Sequence, residues 1–226
     1  MALIVNIETS SAVCSVCLAA DGLVVAHRED RNKNSHARVL NLLIEDMLNE
    51  AGKTFADVDA FAVSAGPGSY TGLRIGVSAA KGFCYALNKK LIGVPTLLSL
   101  ASAVKAQQPS AQYIMPVIDA RREDVFSAVY NAELNEVLPT AMYTLNADLQ
   151  RRLTEVGKIT IGGDCVGKCK AALPNADITY AEGIECDARL LAPFAEQYYK
   201  VGQFADLAYY EPLYINEPVK LVKKQK

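Results

Sequence analysis

Three groups of residues in this 226-residue chain have types and spacings that chemistry can use. The first is the run Gly66-Pro67-Gly68-Ser69-Tyr70-Thr71-Gly72, which leads into a stretch with helical character. Free N–H groups and the dipole at a helix start receive anions. The same run also fits a tight turn, with glycines permitting positive φ and Thr71 capping the helix. It is not a Walker A loop, because no Lys-Ser/Thr follows its last glycine. The second group is the cysteines. Cys14 and Cys17 form a CxxC, but they fall in a segment that reads as a strand, where residues three apart face opposite sides. Cys165 and Cys169 could share one helical face, yet no second Cys or His pair has a spacing that would complete a zinc site. Buried free thiols are the expectation. The third group, Asp119, Arg121 and Glu123, sits at a turn and reads as an ion-paired cluster.

Other schemes lack their parts. The chain has two histidines, His27 and His36. They lie nine apart, one in a strand and one at a helix start, so they do not chelate one ion as a pair. His36 is expected to pack or cap. There is no G-x-S-x-G nucleophile elbow, and no Ser or Cys has an evident His partner. Formal net charge is −2, whereas strong nucleic-acid binders carry a basic excess. The chain alone is therefore a poor candidate for gripping RNA. Lys220, Lys223, Lys224 and Lys226 make a local basic exception that reads as a solvated tail. No apolar run approaches the ~18 residues of a membrane span, and residues 1–7 read as a strand rather than a leader. A cytoplasmic location without membrane contact is expected.

The elements that must position these groups follow from periodicity and turn signals. Strands are expected over 2–7, 13–20 and 23–28, with an Asp21-Gly22 hairpin. A helix from an N-cap at Ser35 to about Ala51 follows, then strand 58–64, helix 72–87, strand 91–94 and helix 97–106. After a polar connector the pattern restarts with strands 113–118, 125–132 and 136–143. Helix 147–152, strand 158–161, helix 166–172, strand 178–181 and helix 188–202 complete it. Ile7-Glu8, a turn and VCSVCLAA are echoed by Ile118-Asp119, a turn and VFSAVYNA. The echo hints at two related lobes, divided here into 1–106 and 107–226.

Strand–strand–strand–helix–strand–helix with an acidic turn after the first strand resembles the lobe plan of the actin-like (ASKHA) α/β fold. The block AVSAGPGSYTGLRIGVSAAKG at 62–82 resembles the signature of the TsaB/YeaZ family. IVNIETSSAVCSV, the Ser35-His36 helix start, IGVPTLLSLA, VIDARREDVFSAVY and EPLYIN resemble that family in order and spacing. The resemblance covers nearly the whole chain. It implies a catalytically silent subunit that pairs with a TsaD-type catalytic subunit and a TsaE-type ATPase. That assembly would transfer threonylcarbamoyl to the tRNA adenosine next to the anticodon. tRNA would be met only indirectly, through the complex, and a homodimer is expected in isolation. The catalytic paralogue carries a His-x-x-x-His metal pair where this chain has Gly93-Val94-Pro95-Thr96-Leu97-Leu98-Ser99-Leu100, so no metal and no catalytic residue is expected. The actin-like fold would set Glu8, Thr9, Ser10, Gly66, Gly68, Ser69 and Thr71 around a vestigial anion or nucleotide site. Glu8 stands where Asp is commoner, and the turn also reads as simply closing the strand with local hydrogen bonds. No cofactor is expected in the isolated chain, with ATP or ADP only at a complex interface. The alternative function is an actin-fold ATPase or a glycoprotease-like metal hydrolase acting alone.

Partner contact is legible in two helices. On helix 35–51, Val39, Leu40, Leu42, Leu43, Ile44, Met47, Leu48 and Ala51 spread over roughly 240°, more than the ~100° or so that one core contact needs. The surplus predicts burial on a second side. Gly72, Gly76 and Ala80 recur at spacing four on the next helix, which makes a close-packing ridge. Val39, Leu42, Leu43, Met47, Leu48, Gly72, Gly76, Ala80 and Phe83 are the expected interface, and intramolecular packing of the two helices alone is the alternative. By the family resemblance, two such helices would meet two of the partner's in a four-helix contact.

Overall fold

The computed structural model describes residues 2–32, 35–174 and 177–216. The Lys-rich segment that contains Lys220, Lys223, Lys224 and Lys226 lies outside the described residues. Among the described residues the chain forms two compact units, one of residues up to 99 with 186–214 and one of residues 100–185 with those from 215 onward.

The first unit is a mixed five-stranded sheet. Strands β1 (Leu3–Glu8), β2 (Cys14–Ala20) and β3 (Leu23–Asp30) form an antiparallel meander, and β4 (Ala60–Ser64) and β5 (Lys90–Val94) add in parallel, giving the order β3-β2-β1-β4-β5. Side-chain alternation splits the core in two. On one face Val5, Ile7, Val16, Leu18, Phe61 and Val63 pack under helices α1 (His36–Glu50) and α2 (Tyr70–Leu87). On the other, Ile4, Ala60, Ala62, Ile92 and Val94 pack against Leu191 and Ala195. Cover on both faces explains why every residue of β4 is buried and apolar or small.

In the second unit β6 (Tyr113–Asp119), β7 (Asp124–Asn131) and β8 (Glu136–Thr144) form the meander. Helix α4 (Ala147–Val156), β9 (Ile159–Gly163), α5 (Val166–Ala172) and β10 (Ile178–Ala181) follow, and the sheet order is β10-β9-β6-β7-β8. Read from its meander edge, this order and its strand directions repeat those of the first unit. The sequence echo is thus a repeat of topology, and the expected actin-like plan of mixed sheets flanked by helices is present in each unit.

The expected division at 106/107 does not hold at either end. The first boundary falls after Ser99, inside α3 (Thr96–Gln107). The larger correction is that residues 186–214 return to the first unit. Their apolar side chains fill the sheet face that α1 and α2 leave open. The expected helix 188–202 is also two pieces, a 3-10 turn over Ala188–Leu190 and then α6 (Ala192–Lys200). Pro193 lies in the first turn of α6, where its missing N–H costs nothing, and marks a helix start rather than an interior. A second 3-10 turn, Phe55–Asp57, holds the residues before β4 through a reciprocal Thr54–Asp57 capping box.

Candidate functional site

β1 and β4 are parallel neighbours, with Ile7 opposite Val63. Their C-terminal ends therefore bring the turn after Glu8 beside the glycine loop after Ser64. Ligands of open α/β sheets bind at such strand ends. The structure gathers all seven expected residues here, and it shows how the space between them is used. Ser69 donates its N–H to the Ser10 carbonyl at 2.7 Å. A Cβ on Gly68 would lie 2.5 Å from that carbonyl oxygen, and one on Gly72 would lie 2.0 Å from the Thr9 carbonyl oxygen. The position nearest the helix start is thus taken by the chain's own backbone. The cap of α2 is Ser69, whose hydroxyl accepts from Gly72 N–H at 3.2 Å. Thr71, expected as the cap, is already inside the helix and exposed. Gly66 needs positive φ (91°), and a Cβ there would meet the Leu213 carbonyl oxygen at 2.6 Å.

Glu8 lies beneath this junction and is fully buried. Its Oε1 accepts the Ser10 N–H at 2.6 Å. Among the described residues its Oε2 and the buried Thr9 hydroxyl have no hydrogen-bond partner, and the Ser10 and Ser64 hydroxyls lie at the edge of hydrogen-bonding geometry to the carboxyl. Burial pushes the Glu8 carboxyl above the ordinary carboxylate range, against the opposing pull of the Ser10 and Ser64 groups that border it. The turn is therefore a polar pocket of the core, closed over by the glycine loop.

The segment where the resemblance places a metal pair does structural work here. Thr96 is fully buried, and its hydroxyl accepts the Gly66 N–H at 3.0 Å, fixing the glycine loop. Leu97 is core. His36 is buried at the start of α1, with its Nε2 3.1 Å from the Ser11 carbonyl oxygen, so it packs as expected. One cluster escaped the sequence. His27 and Glu29 lie two apart on β3, and Asp187 comes from the returning segment; their ligand-type atoms all lie within 4.8 Å of one another. Arg189 holds Asp187 at 2.6 and 2.9 Å and Arg31 holds Glu29 at 2.7 Å, so both carboxylates already carry a counter-charge. A sequence separation of 158 to 160 residues hid it.

All six cysteines are buried free thiols. Burial pushes Cys14 and Cys17 each up to about 12. Cys165 and Cys169 share a hydrogen bond that raises the first and lowers the second. In the second unit Asp119 pairs with Lys168 at 2.6 Å and takes the Asp164 carboxylate on its N–H at 3.0 Å. The expected pairing within Asp119, Arg121 and Glu123 is not found among the described residues: the cation on Asp119 is Lys168 of α5, and Arg121 meets Asp119 only through its backbone N–H, at 3.1 Å. Arg121 and Arg122 instead shape the tip with positive φ (69° and 45°).

The helices of the expected interface divide sharply. Met47 and Leu48 are buried in the core with Leu40 and Ile44, so they do not face a partner. Leu42 is 58% exposed and Val39 and Leu43 are half-buried. The Gly72–Gly76–Ala80 ridge points inward. A Cβ on Gly76 would lie 2.3 Å from Thr9 Oγ1, so the ridge lets α2 settle onto the β1 turn. Phe83 stacks on Phe55 and Phe61 at 5.2 Å each, half-buried. The outward side of α2 is a different row: Ser78, Gly82 and Ala86 are exposed and Ile75 half-buried. Nothing lies within 4 Å of a Cβ on Gly82.

Two mixed sheets of repeated topology, the first of them carrying a glycine loop seated on an acidic first turn, define a protein of the actin-like fold. The activator of the 2-hydroxyisocaproyl-CoA dehydratase from Clostridium difficile shares that fold, with a TM-score of 0.54 at 10% identity over 89% of this chain and 97% of the activator. Within this class, the family model for TsaD, tRNA N6-adenosine threonylcarbamoyltransferase, matches residues 25–159. The tRNA threonylcarbamoyladenosine biosynthesis protein TsaB of Escherichia coli (strain K12) is 35% identical over 134 residues, covering 59% of this chain and 57% of that protein. The chain thus spans a little over half the length of this relative. A Pseudomonas aeruginosa structure, described as an uncharacterized protein with similarity to peptidase YEAZ, superimposes with a TM-score of 0.81 at 24% identity, covering 96% and 100% of the two chains. The chain belongs to the TsaB/YeaZ family of TsaD-related proteins. Among the described residues, no helix is long and apolar enough to cross a membrane.

Proposed function

We propose that the chain is a non-catalytic subunit in tRNA threonylcarbamoyladenosine biosynthesis, pairing with a TsaD-type catalytic subunit that works with a TsaE-type ATPase. One observation carries the pairing. α1 and α2 lie on the same sheet face, and their outward sides expose Leu42 on one and the small row Ser78, Gly82 and Ala86 on the other. Small residues let a second helix approach closely, and an exposed leucine on the companion helix supplies apolar area to bury. The first-turn chemistry supports silence. Glu8 is buried against its own backbone, and the Thr96 hydroxyl holds the glycine loop. By this reading nucleotide enters only at a complex interface, and the chain alone is a homodimer.

Size-exclusion chromatography with the TsaD-type subunit, followed by a reconstituted tRNA modification assay, tests this. The expected result is co-elution and modification that requires this chain. Modification at full rate by the catalytic subunit and ATPase without it would sink the proposal. Saturable ATP hydrolysis by the chain alone, lost on Glu8→Ala, would favour the ATPase alternative instead.

A further inference from the structure

Three elements, not two, close the first core on its helical side. α1 lies over β2 and β3, and α2 over β4 and β5. Past β5 the returning segment continues the layer. Ala205 donates its N–H to the Leu91 carbonyl of β5 at 2.8 Å, and Ala205, Leu207 and Tyr210 pack into the same core as the two helices. α2 therefore lies between α1 and residues 205–214. That stretch is tied along the flank of α2. Lys81 donates to the carbonyls of Ala208 and Tyr210 at 3.1 and 3.2 Å. Tyr214 packs against Tyr70 with ring centroids 4.7 Å apart, and Leu213 donates its N–H to the Ala65 carbonyl at 2.7 Å. Asp206 closes the turn between these ties by accepting the N–H groups of Ala208 and Tyr209 at 2.8 and 3.1 Å.

The residues left facing out are large and apolar. Tyr209 is 84% exposed and Leu213 48%. On α2, Tyr85 is also 84% exposed. At ~100° per residue it lies about 20° from Ser78, in the outward row of small residues. Single exposed apolar side chains are ordinary, but a group of them marks an association site. Leu42, Tyr85, Tyr209 and Leu213 stand on adjoining elements of one layer.

The size of that layer argues in the same direction. A stable interface takes about 20–30 residues a side. α1 and α2 together expose fifteen, not all of them on one face. Residues 205–214 add Asp206, Ala208, Tyr209, Glu211 and Leu213, which brings the layer to twenty. Its chemistry is that of a protein contact. Carboxylates at Asp206 and Glu211 interrupt the cations, which disfavours a polyanion. Arg74 is turned onto the Tyr70 hydroxyl at 3.1 Å, and Lys81 onto the two carbonyls. Rigid aromatic rings among mixed charges are what anchors of protein interfaces look like.

We propose that residues 205–214 form a third element of the face that receives the TsaD-type catalytic subunit, with Tyr85 and Tyr209 as aromatic anchors beside Leu213. The inference rests on the pairing proposed above and adds a surface outside the two helices. The matching surface on the partner is an apolar depression whose rim offers acceptors to the two phenol hydroxyls.

The test is isothermal titration calorimetry of the full chain with the purified catalytic subunit. Tyr85→Ala and Tyr209→Ala should each raise Kd by about tenfold or more, as truncation of an anchor does. Both should melt at the parental temperature, because their rings stand in water. Val137, 43% exposed on β8 of the second unit, is the control, and Val137→Ala should leave Kd unchanged. A parent chain that does not pair overturns this inference together with the reading it rests on. A parent that pairs, with both tyrosine variants at parental affinity, overturns the third element alone and leaves the contact to α1 and α2. Variants that keep the catalytic subunit but lose affinity for tRNA, or that change only self-association, overturn it as well, since the rings would then meet a nucleic acid or a second copy of this chain.

Discussion

At the scale of single residues, the inward glycines make the sharpest statement. Gly76 lies so close to Thr9 that any side chain displaces the β1 turn. Gly76→Leu is therefore expected to destabilise the fold by at least the ~1–3 kcal/mol typical of overpacking, read from urea unfolding. Unchanged stability with lost partner binding would return the ridge to the surface. Spacing four is visible in the sequence, but a glycine has no side chain whose polarity tells inside from outside. The ridge was therefore legible as a ridge while its direction was not. Glu8 yields to pH. Its carboxyl is raised above its ordinary 4.5 by burial, so the folded state binds that proton more tightly than the unfolded one. Its contribution to stability is fully present below pH 4.5 and is lost as pH rises through the folded value. Glu8→Gln stays neutral throughout, so its stability relative to the parent should increase as pH rises above about 4.5. Urea midpoints of both proteins across pH 4–9 would show this. A flat difference would mean that the Ser10 N–H compensates the burial.

At the scale of elements, α1 and α2 were placed by periodicity to within two residues, and the inner faces account for most of their apolar surplus. The 240° arc of α1 counts Met47 and Leu48 as spare, yet both are core, because the helix sinks between the sheet and its neighbours. Leu42 is the outlier that faces solvent. Leu48→Asp should unfold the first unit, since an unpaired buried charge costs several kcal/mol. Leu42→Asp should fold with stability within about 0.5 kcal/mol of the parent and fail to co-elute with the catalytic subunit. Two folded, binding-competent variants would contradict this division of the helix. Gly82 offers the complementary probe on α2. With open space around it, Gly82→Ala should raise stability by about 0.5–1 kcal/mol through helix propensity. Gly82→Trp should fold and block partner docking. A Trp variant that docks normally would place the interface elsewhere.

At the scale of the whole chain, the repeat of sheet order was visible as an echo around Glu8 and Asp119, because acidic turns after a first strand leave a local mark. The return of residues 186–214 left none. Their helix is an ordinary amphipathic one, and nothing in its own residues states which sheet it covers. The structure assigns it to the first unit, where Leu191 and Ala195 bury against Ile4, Ala60, Ala62, Ile92 and Val94. Backbone hydrogen bonds add to this, from Ala205 N–H to Leu91 O at 2.8 Å and from Leu213 N–H to Ala65 O at 2.7 Å. The Tyr210 ring lies over Gly93, where a Cβ would come within 2.0 Å of the phenolic oxygen. A fragment of residues 1–106 would keep α1 and α2 but bare the opposite sheet face. At roughly 25 cal/mol per Å² of apolar area, leaving several side chains of that face in water removes stability comparable to the ~5–15 kcal/mol that holds a whole domain. The fragment is therefore expected to show no cooperative thermal transition. A synthetic peptide of residues 186–214 added in trans should restore one, with the midpoint rising with peptide concentration. A fragment that melts cooperatively without the peptide would show that the first unit closes its core unaided, and that the returning segment only rests on it.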